Sequence, residues 1–414
     1  MVTLDVPPGT IMRAPGEEAS SFALECAMDE LAYELGIDPV ELRRTNNADR
    51  HPTNGRPYSS KHLDECMSVG ARRFGWSRRA PEPRSAVDGE WLVGRGMAVG
   101  VFRAMRYGIS AHVAFRRDGT VAVEAATSDP GTGMKTVVAI TAADRLGIPV
   151  GRVDSEVGDN TLRSKSPDGW GVAAGSAGTA SVAPAVRAAS EAATDALIKH
   201  AVEHRCSPFH GLDPEEVRYR DGRLSADGRG VDFGRLLAMT RTRAVGAERS
   251  SGPTEEMARY ALSTFAAHFC EVRVHRFTGE PRVARMTTVV DGGTILNSGA
   301  ARNQIVGGVV FGLGQALLEG AEVERATGRI ANASPPPAGS PTRTSPTIWC
   351  LNADVPDIDV RFLDHPDTVI SPVGSRGVGE IGTTGSGAAI ANAVFNATGK
   401  RIRDLPITPD KLIG

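Results

Sequence analysis

Nine residues near the end of the chain, Gly374-Ser375-Arg376-Gly377-Val378-Gly379-Glu380-Ile381-Gly382, carry four glycines around one acid. Glycine at this density lets a backbone approach another group closely and turn where side chains forbid it. Gly377 to Gly382 also fits GxGxxG, the dinucleotide fingerprint. That reading is excluded, because only residues 383–414 remain to finish a βαβ unit and no acid stands at the needed spacing on a second strand. Two readings are left. The segment is a tight turn with a surface Glu, or it holds the Glu380 carboxylate in a glycine-lined pocket. In a pocket, the apolar Ile381 and the Ala-rich run after Gly387 would desolvate the acid and raise its pKa toward general-base duty. Arg376, if close, would pull it down instead.

Composition narrows the classes. A chain of 414 residues with 41 % hydrophobic and 23 % charged residues has ample material for a core and room for two to four domains. Lys plus Arg is 47 against 49 for Asp plus Glu, so no basic excess points to nucleic acid. Cys26, Cys66, Cys206, Cys270 and Cys350 are few and far apart, without a CxxC. A disulfide framework or a zinc ribbon is therefore not expected. The first 20 residues lack a charged and then apolar leader, and Ile305 to Leu318, interrupted by four glycines and a Gln, is too short to span a bilayer. These features predict a reduced, cytoplasmic protein with no membrane partner.

Pattern and punctuation predict the elements. A helix with Ser20 or Ser21 as cap carries Phe22, Leu24, Met28, Leu31 and Leu35 and stops at Gly36. Asp38-Pro39 starts a short second helix, and Ser60 to Phe74 a third. Arg78 to Asp88 reads as a linker. Strands are expected at 91–102, 109–116, 121–127, 152–157, 267–274, 282–290 and 359–363. Helices are expected at 136–146, 179–204, 303–318 and 387–397. Ser250 to Pro253 is a second linker, and Ser334 to Pro346, with five prolines in thirteen residues, a loop. Hairpins mixed with separate helices predict an α+β fold of two or more sheet-and-helix subdomains, rather than a regular βαβ array.

Three further motifs are weaker. Gly131-Thr132-Gly133-Met134-Lys135-Thr136 precedes a helix but lacks P-loop spacing; its N–H groups suit a phosphate or another anion. Gly175-Ser176-Ala177-Gly178-Thr179 offers the same chemistry. Either also fits an ordinary helix start. His200-Ala201-Val202-Glu203-His204 matches HxxEH, yet has no evident third ligand, so no metal site is assigned. Arg72, Arg73, Arg78, Arg79 and Arg84 read as a solvated helix end and linker.

Taken together, these segments resemble the molybdenum-cofactor-binding large subunit of the xanthine dehydrogenase and aldehyde oxidoreductase family. The match runs through Met12-Arg13-Ala14-Pro15-Gly16 and the helix to Arg43. It continues with Gly131-Thr132-Gly133, Ala142-Ala143-Asp144, Gly158-Asp159 and Gly175 to Thr179. Asp291 to Leu318, with Asn297 and Gln304, also fits, and the match closes with Gly377 to Val394 and Leu405 to Pro409. The resemblance implies a molybdenum–pyranopterin cofactor, often in nucleotide form, with Arg13 and Gly379 near it. It implies that Gly131, Thr132, Gly133, Gly175, Ser176 and Thr179 hold pterin and phosphate groups, and that Gln304 lies by the metal's oxo group. Glu380 would be the base that deprotonates a metal-bound hydroxide for attack on an electron-poor carbon of a small-molecule substrate, an aldehyde or N-heterocycle. Electrons would leave through iron–sulfur clusters and FAD on partner subunits.

The sequence also departs from that family. The large subunit of the family is about twice this length, and its earlier half brings another glycine-rich loop to the metal. This chain opens almost at Arg13, as if the gene were split, which predicts a partner chain bearing the N-terminal half. Residues 1–85 would then end a first cofactor-binding domain, 86–250 begin a second, and 251–414 complete it. Thr132 stands where many members have Gln. The Pro-rich stretch and the insertion around Arg163 to Val172 are unusual. Two rival readings remain: a molybdenum-free descendant using Glu380 in a cyclisation or isomerisation, and a non-catalytic scaffold subunit.

Overall fold

The computed structural model describes residues 11–161, 171, 173–332 and 350–413. The opening decapeptide, the insertion (Gly171 apart) and the Pro-rich loop lie outside them. Helix α1 (Glu17–Leu35) begins at Gly16, whose φ is +84°, earlier than the serine caps suggest. Glu17 and Glu18 in its first turn suit the positive end of the helix dipole. Gly36 ends it in the left-handed conformation, and Asp38 caps α2 (Pro39–Thr45) through the Val40 N–H. Helix α3 (Leu63–Phe74) precedes β1 (Val87–Asp88), β2 (Trp91–Arg103), β3 (Ile109–Arg116) and β4 (Val121–Ala125). Then come α4 (Met134–Leu146), β5 (Val153–Val157) and the long α5 (Gly178–Glu203).

A three-stranded sheet of β6 (Arg218–Arg220), β7 (Arg223–Ala226) and β8 (Arg229–Asp232), with α6 (Phe233–Met239), fills a stretch for which the sequence pattern gave no elements. Strand β9 (Ala244–Ser251) runs into the expected 250–253 linker, because Ser251 still pairs with Ile109. The remaining elements are β10 (Ser263–His275), β11 (Pro281–Asp291), α7 (Ser298–Leu313), β12 (Asp357–Phe362), α8 (Ser386–Thr398) and α9 (Pro409–Leu412). Helix α7 starts earlier than expected because the Asn297 side chain caps it through the Ala300 N–H. The architecture is the α+β arrangement expected.

One sheet has the order β1-β2-β10-β11-β12, antiparallel except for the β11–β12 pair. Gly94, Gly96 and Gly100 leave one face of β2 bare, and α8 rests there; a Cβ on Gly96 would strike the backbone at Ala393 and Ala389. On the other face, Met67, Phe74 and Trp76 of the α3 region pack on Phe265 and Phe269. The second sheet, β5-β4-β3-β9, is covered by α4 and α5 around Val113, Phe115, Val186 and Leu197. No helix among the described residues is long and apolar enough to cross a membrane.

Helix α1 is turned opposite to its apolar pattern. Glu25, Asp29 and Ala32 are buried, whereas Leu24, Leu31 and Leu35 are exposed. The acids can face inward because each meets a guanidinium: Arg43 lies 2.7 Å from Glu25 and Arg401 2.7 Å from Asp29. Glu25 also accepts the Val99 N–H at 2.8 Å. Buried charge is tolerated only when paired and hydrogen-bonded in this way.

Arg376 is the most demanding buried group, with a fully enclosed side chain. It donates to the Ser60 and Ser263 carbonyls and to Asp291 Oδ1, and its Nε lies 3.8 Å from Asp367. Asp291 also accepts the His62 N–H at 2.9 Å, and Asp367 the Ser59 hydroxyl at 2.7 Å. Removing the cation would leave two buried carboxylates without neutralisation. Arg376→Leu should therefore cost about 3–5 kcal/mol and lower the melting temperature sharply. Arg243→Leu, at an exposed arginine, should leave the melt unchanged.

Candidate functional site

Five stretches meet around a cavity of about 440 Å³: the Arg13 turn, the two glycine-rich helix starts, α7 with the segment before it, and the Gly377–Glu380 loop. Arg13, Thr132, Ser176, Gln304, Phe311 and Glu380 are on its wall, as are Gly175, Thr179 and Gly379. Gly131 and Gly133 are not on that wall, although Thr132 between them is.

Glu380 is partly buried and held from two sides. Its Oε1 accepts the Ala14 N–H at 3.1 Å and its Oε2 accepts the Ser176 hydroxyl at 2.8 Å. Ala14 (φ +58°) and Ser176 (φ +55°) are both non-glycine residues in the left-handed region. Such conformations persist only where the surroundings enforce them, and they gather at functional sites. The acid is thus better supplied with donors than its glycine neighbours suggest.

The cation beside Glu380 is Arg13, not Arg376, whose guanidinium points to Asp291 and Asp367. Arg13 donates through Nε to the Gly379 carbonyl at 2.6 Å and through Nη2 to the Gln304 carbonyl at 2.6 Å, with a further Nη2 bond to Gly379. Burial presses the Arg13 pKa down, and the Glu380 carboxylate acts to raise it. Phe311 lies under the guanidinium, 6.0 Å away, and is itself half exposed.

The glycines of the last loop serve close approach. A Cβ on Gly377 would run into the Ser176 carbonyl, whereas one on Gly379 would lie 3.2 Å from the Ser176 hydroxyl. Thr264 fixes the loop from below by donating to the Gly377 carbonyl at 3.0 Å.

The two helix starts differ. At the first, one Asp129 carboxylate oxygen accepts the Gly131 and Gly133 N–H groups at 3.0 Å each and the other accepts from Lys135 N at 3.2 Å. Thr132 Oγ1 adds a 3.2 Å bond. Burial works to raise the Asp129 pKa, but these donors hold it below the ordinary value. The N–H groups expected to take a phosphate are therefore committed to an acid of the same chain. Asp129 was legible in principle, since Asx side chains commonly accept the N–H two residues on. At the second start, no side chain caps α5, and Gly178 and Thr179 face the cavity. The first N–H groups of a helix have no intrahelical partner, so they are available to an anion.

The other motifs are structural. His200 Nε2 lies 3.0 Å from Thr240 Oγ1 and 3.2 Å from Thr242 Oγ1, while His204 accepts the Cys206 N–H. Arg79 stacks on Trp76 and Tyr33, so the arginine cluster is not wholly solvated.

A family model described as "Molybdopterin cofactor-binding domain" matches residues 70–345, and a second of the same description matches residues 1–47. The chain belongs to the molybdopterin cofactor-binding domain family. It is 39 % identical over 416 residues to the aldehyde oxidoreductase molybdenum-binding subunit PaoC of Escherichia coli (strain K12), covering 100 % of this chain and 53 % of that one. It is 28 % identical to the putative xanthine dehydrogenase molybdenum-binding subunit XdhA of the same organism, covering 99 % and 53 %. The quinoline 2-oxidoreductase of Pseudomonas putida shares the fold, with a TM-score of 0.78 at 22 % identity over 98 % of this chain and 52 % of that one. The chain thus spans about half the length of the curated relatives it matches.

The family's cofactor is a molybdenum–pyranopterin, and the cavity suits an anionic group of that kind. The uncapped start of α5 and the Arg13 guanidinium put positive potential on one wall.

Two outcomes test this geometry. Gly377→Ala should separate the loop from Ser176 and cost about 1–3 kcal/mol in a thermal melt, while Gly379→Ala should be nearly silent. The depressed Asp129 pKa makes its contribution to stability fully present above about pH 3.9, its unfolded value, and lost as pH falls through the lower folded value. Between pH 5 and strongly acidic conditions, wild type should lose more melting temperature than Asp129→Asn.

Proposed function

We propose that this chain is the base-carrying half of a molybdenum-dependent hydroxylase that oxidises an aldehyde or an N-heterocycle in the cytoplasm. The observation that carries the reading is the Glu380 carboxylate at the cavity wall, fixed by Ala14 N–H and Ser176 Oγ beside the Arg13 guanidinium. When bound, the molybdenum–pyranopterin supplies two-electron redox chemistry. In this proposal, Arg13, Thr132, Gln304, Gly379 and the Gly175–Thr179 start of α5 hold that cofactor, with Gly131 and Gly133 shaping the Thr132 loop. Glu380 takes up the proton released as the substrate carbon is hydroxylated. Its two donors fix the carboxylate toward the cavity, and Thr264 and the Arg376 cluster hold its loop still.

The reading also assigns residues 1–85 to the end of a first cofactor-binding domain, and 86–250 and 251–414 to the two parts of a second. The first is completed by a chain carrying the family's N-terminal half. Iron–sulfur and FAD groups reside on further subunits and take the electrons. The similarity to PaoC and XdhA supports the reaction class.

Glu380→Gln keeps shape and removes the base. In the assembled complex, turnover of an aldehyde or N-heterocycle with an artificial electron acceptor should fall at least about a hundredfold. The melting temperature and bound molybdenum should be unchanged. Wild-type turnover in that variant would make Glu380 structural and bring the scaffold reading forward.

A further inference from the structure

His268 sits on β10, the central strand of the five-stranded sheet, and has no exposed surface. An aliphatic side chain would fill this position without withdrawing a polar ring from water. Burial presses the imidazole pKa down to about 4, while the Thr384 and Ile381 carbonyls act to raise it. The ring is therefore neutral at physiological pH, with one nitrogen that donates and one that accepts.

The surroundings decide which nitrogen carries the proton. Nδ1 lies 3.0 Å from Thr288 Oγ1 on β11, and a hydroxyl can serve a ring nitrogen either way. Nε2 is buried and has no side-chain partner among the described residues; the groups it faces are the carbonyls of Ile381 and Thr384. A carbonyl only accepts, so the proton belongs on Nε2, and Thr288 donates to Nδ1. Gly100 on β2 permits this approach: a Cβ there would strike the Thr384 carbonyl and lie 3.4 Å from Nε2. The turn above the ring begins at the residue after Glu380, and within it the Thr383 N–H donates to the Glu380 carbonyl at 3.0 Å.

We infer that His268 is a positioning residue for Glu380, supporting the turn after the acid through Nε2–H as Thr264 supports the loop before it; this rests on the reading of Glu380 as the base. Thr264 and His268 stand four residues apart on β10, so they share one face of the strand about 13 Å apart. Thr264 donates to the Gly377 carbonyl at 3.0 Å. Ala266, between the two on that face, is small and packs in the same apolar cluster as Ile381. One strand thus places a polar side chain under each end of residues 377–384, with Glu380 carried between them. The hydroxyls of Thr383 and Thr384 do not share this role, since both are buried without a partner among the described residues. A base that must meet a proton at a fixed place loses rate when its footing shifts by a fraction of an ångström.

The test uses the full chain in the assembled complex. His268→Leu fills the space and removes both ring nitrogens. Its kcat should fall at least about tenfold, with KM and bound molybdenum unchanged and the melting temperature not lowered. His268→Gln, whose amide can bring an N–H to the same carbonyls, should recover most of that loss. The tautomer is a readout independent of turnover. Nitrogen-15 NMR of the histidine-labelled chain, assigned by the signals that vanish in His268→Gln, should show a neutral ring protonated on Nε2. A proton on Nδ1, wild-type kcat in His268→Leu, or equal losses in the Leu and Gln variants overturns the inference. Should His268→Leu fail to fold, Thr288→Val, which removes the donor to Nδ1, takes its place: kcat should fall, and a wild-type value overturns the inference. Wild-type turnover in Glu380→Gln would sink the base reading and this inference together. An inactive Glu380→Gln beside wild-type kcat in His268→Leu would sink this inference alone.

Discussion

A guanidinium withdrawn from water must be neutralised where it sits, and Arg376 has no freedom to find its partners elsewhere. Asp291 ends β11, Ser263 begins β10, Ser60 precedes α3, and Asp367 follows β12. All four must arrive together for the cation to be tolerated. The cluster therefore ties the edge of the five-stranded sheet to the base of the glycine-rich loop. It also anchors the start of residues 377–380, because Arg376 N donates to the Gly292 carbonyl at 2.9 Å while its guanidinium is taken by Asp291 and Asp367. Glu380, four residues on, is held instead by the Ala14 N–H and the Ser176 hydroxyl.

With the loop so anchored, glycine permits the next contact. Ser176 can reach Glu380 only because position 377 has no side chain to keep the two backbones apart. Ser176 and Ala14 in turn hold left-handed backbones that aim a hydroxyl and an N–H at the same carboxylate. Strain, close approach and a buried ion cluster thus converge on one acid. Strained residues that gather at one point in this way mark a site where position matters more than local stability.

Much of this was legible in the chain. Alternation and turn residues located most strands, Gly36 and Asp38-Pro39 placed the end of α1 and the start of α2, and glycine density singled out the Glu380 loop. What was not legible shares one cause: partners distant in sequence. The small 206–243 region has short strands whose pairing, not their composition, makes them a sheet. Leu24, Leu31 and Leu35 read as core because periodicity cannot tell which face of α1 meets Arg43 and Arg401. Arg376 looked like a modifier of Glu380 because closeness in sequence does not show that its guanidinium is taken by Asp291, on a distant strand, and by Asp367.

The two glycine-rich helix starts show how similar motifs can diverge in use. Both place N–H groups at a positive helix end, and either one alone suits an anion. At α4 the anion is built in, since Asp129 accepts from three backbone N–H groups and the Thr132 hydroxyl. A phosphate brought to that nest would have to displace a carboxylate covalently held there, and would meet its charge while doing so. At α5 no such acid intervenes, and the helix start opens on the cavity beside Arg13 and Glu380. Free N–H groups and a guanidinium therefore face the cavity from α5 and Arg13, whereas the N–H groups of the Gly131–Gly133 loop are already taken by Asp129 and only Thr132 of that loop reaches the cavity.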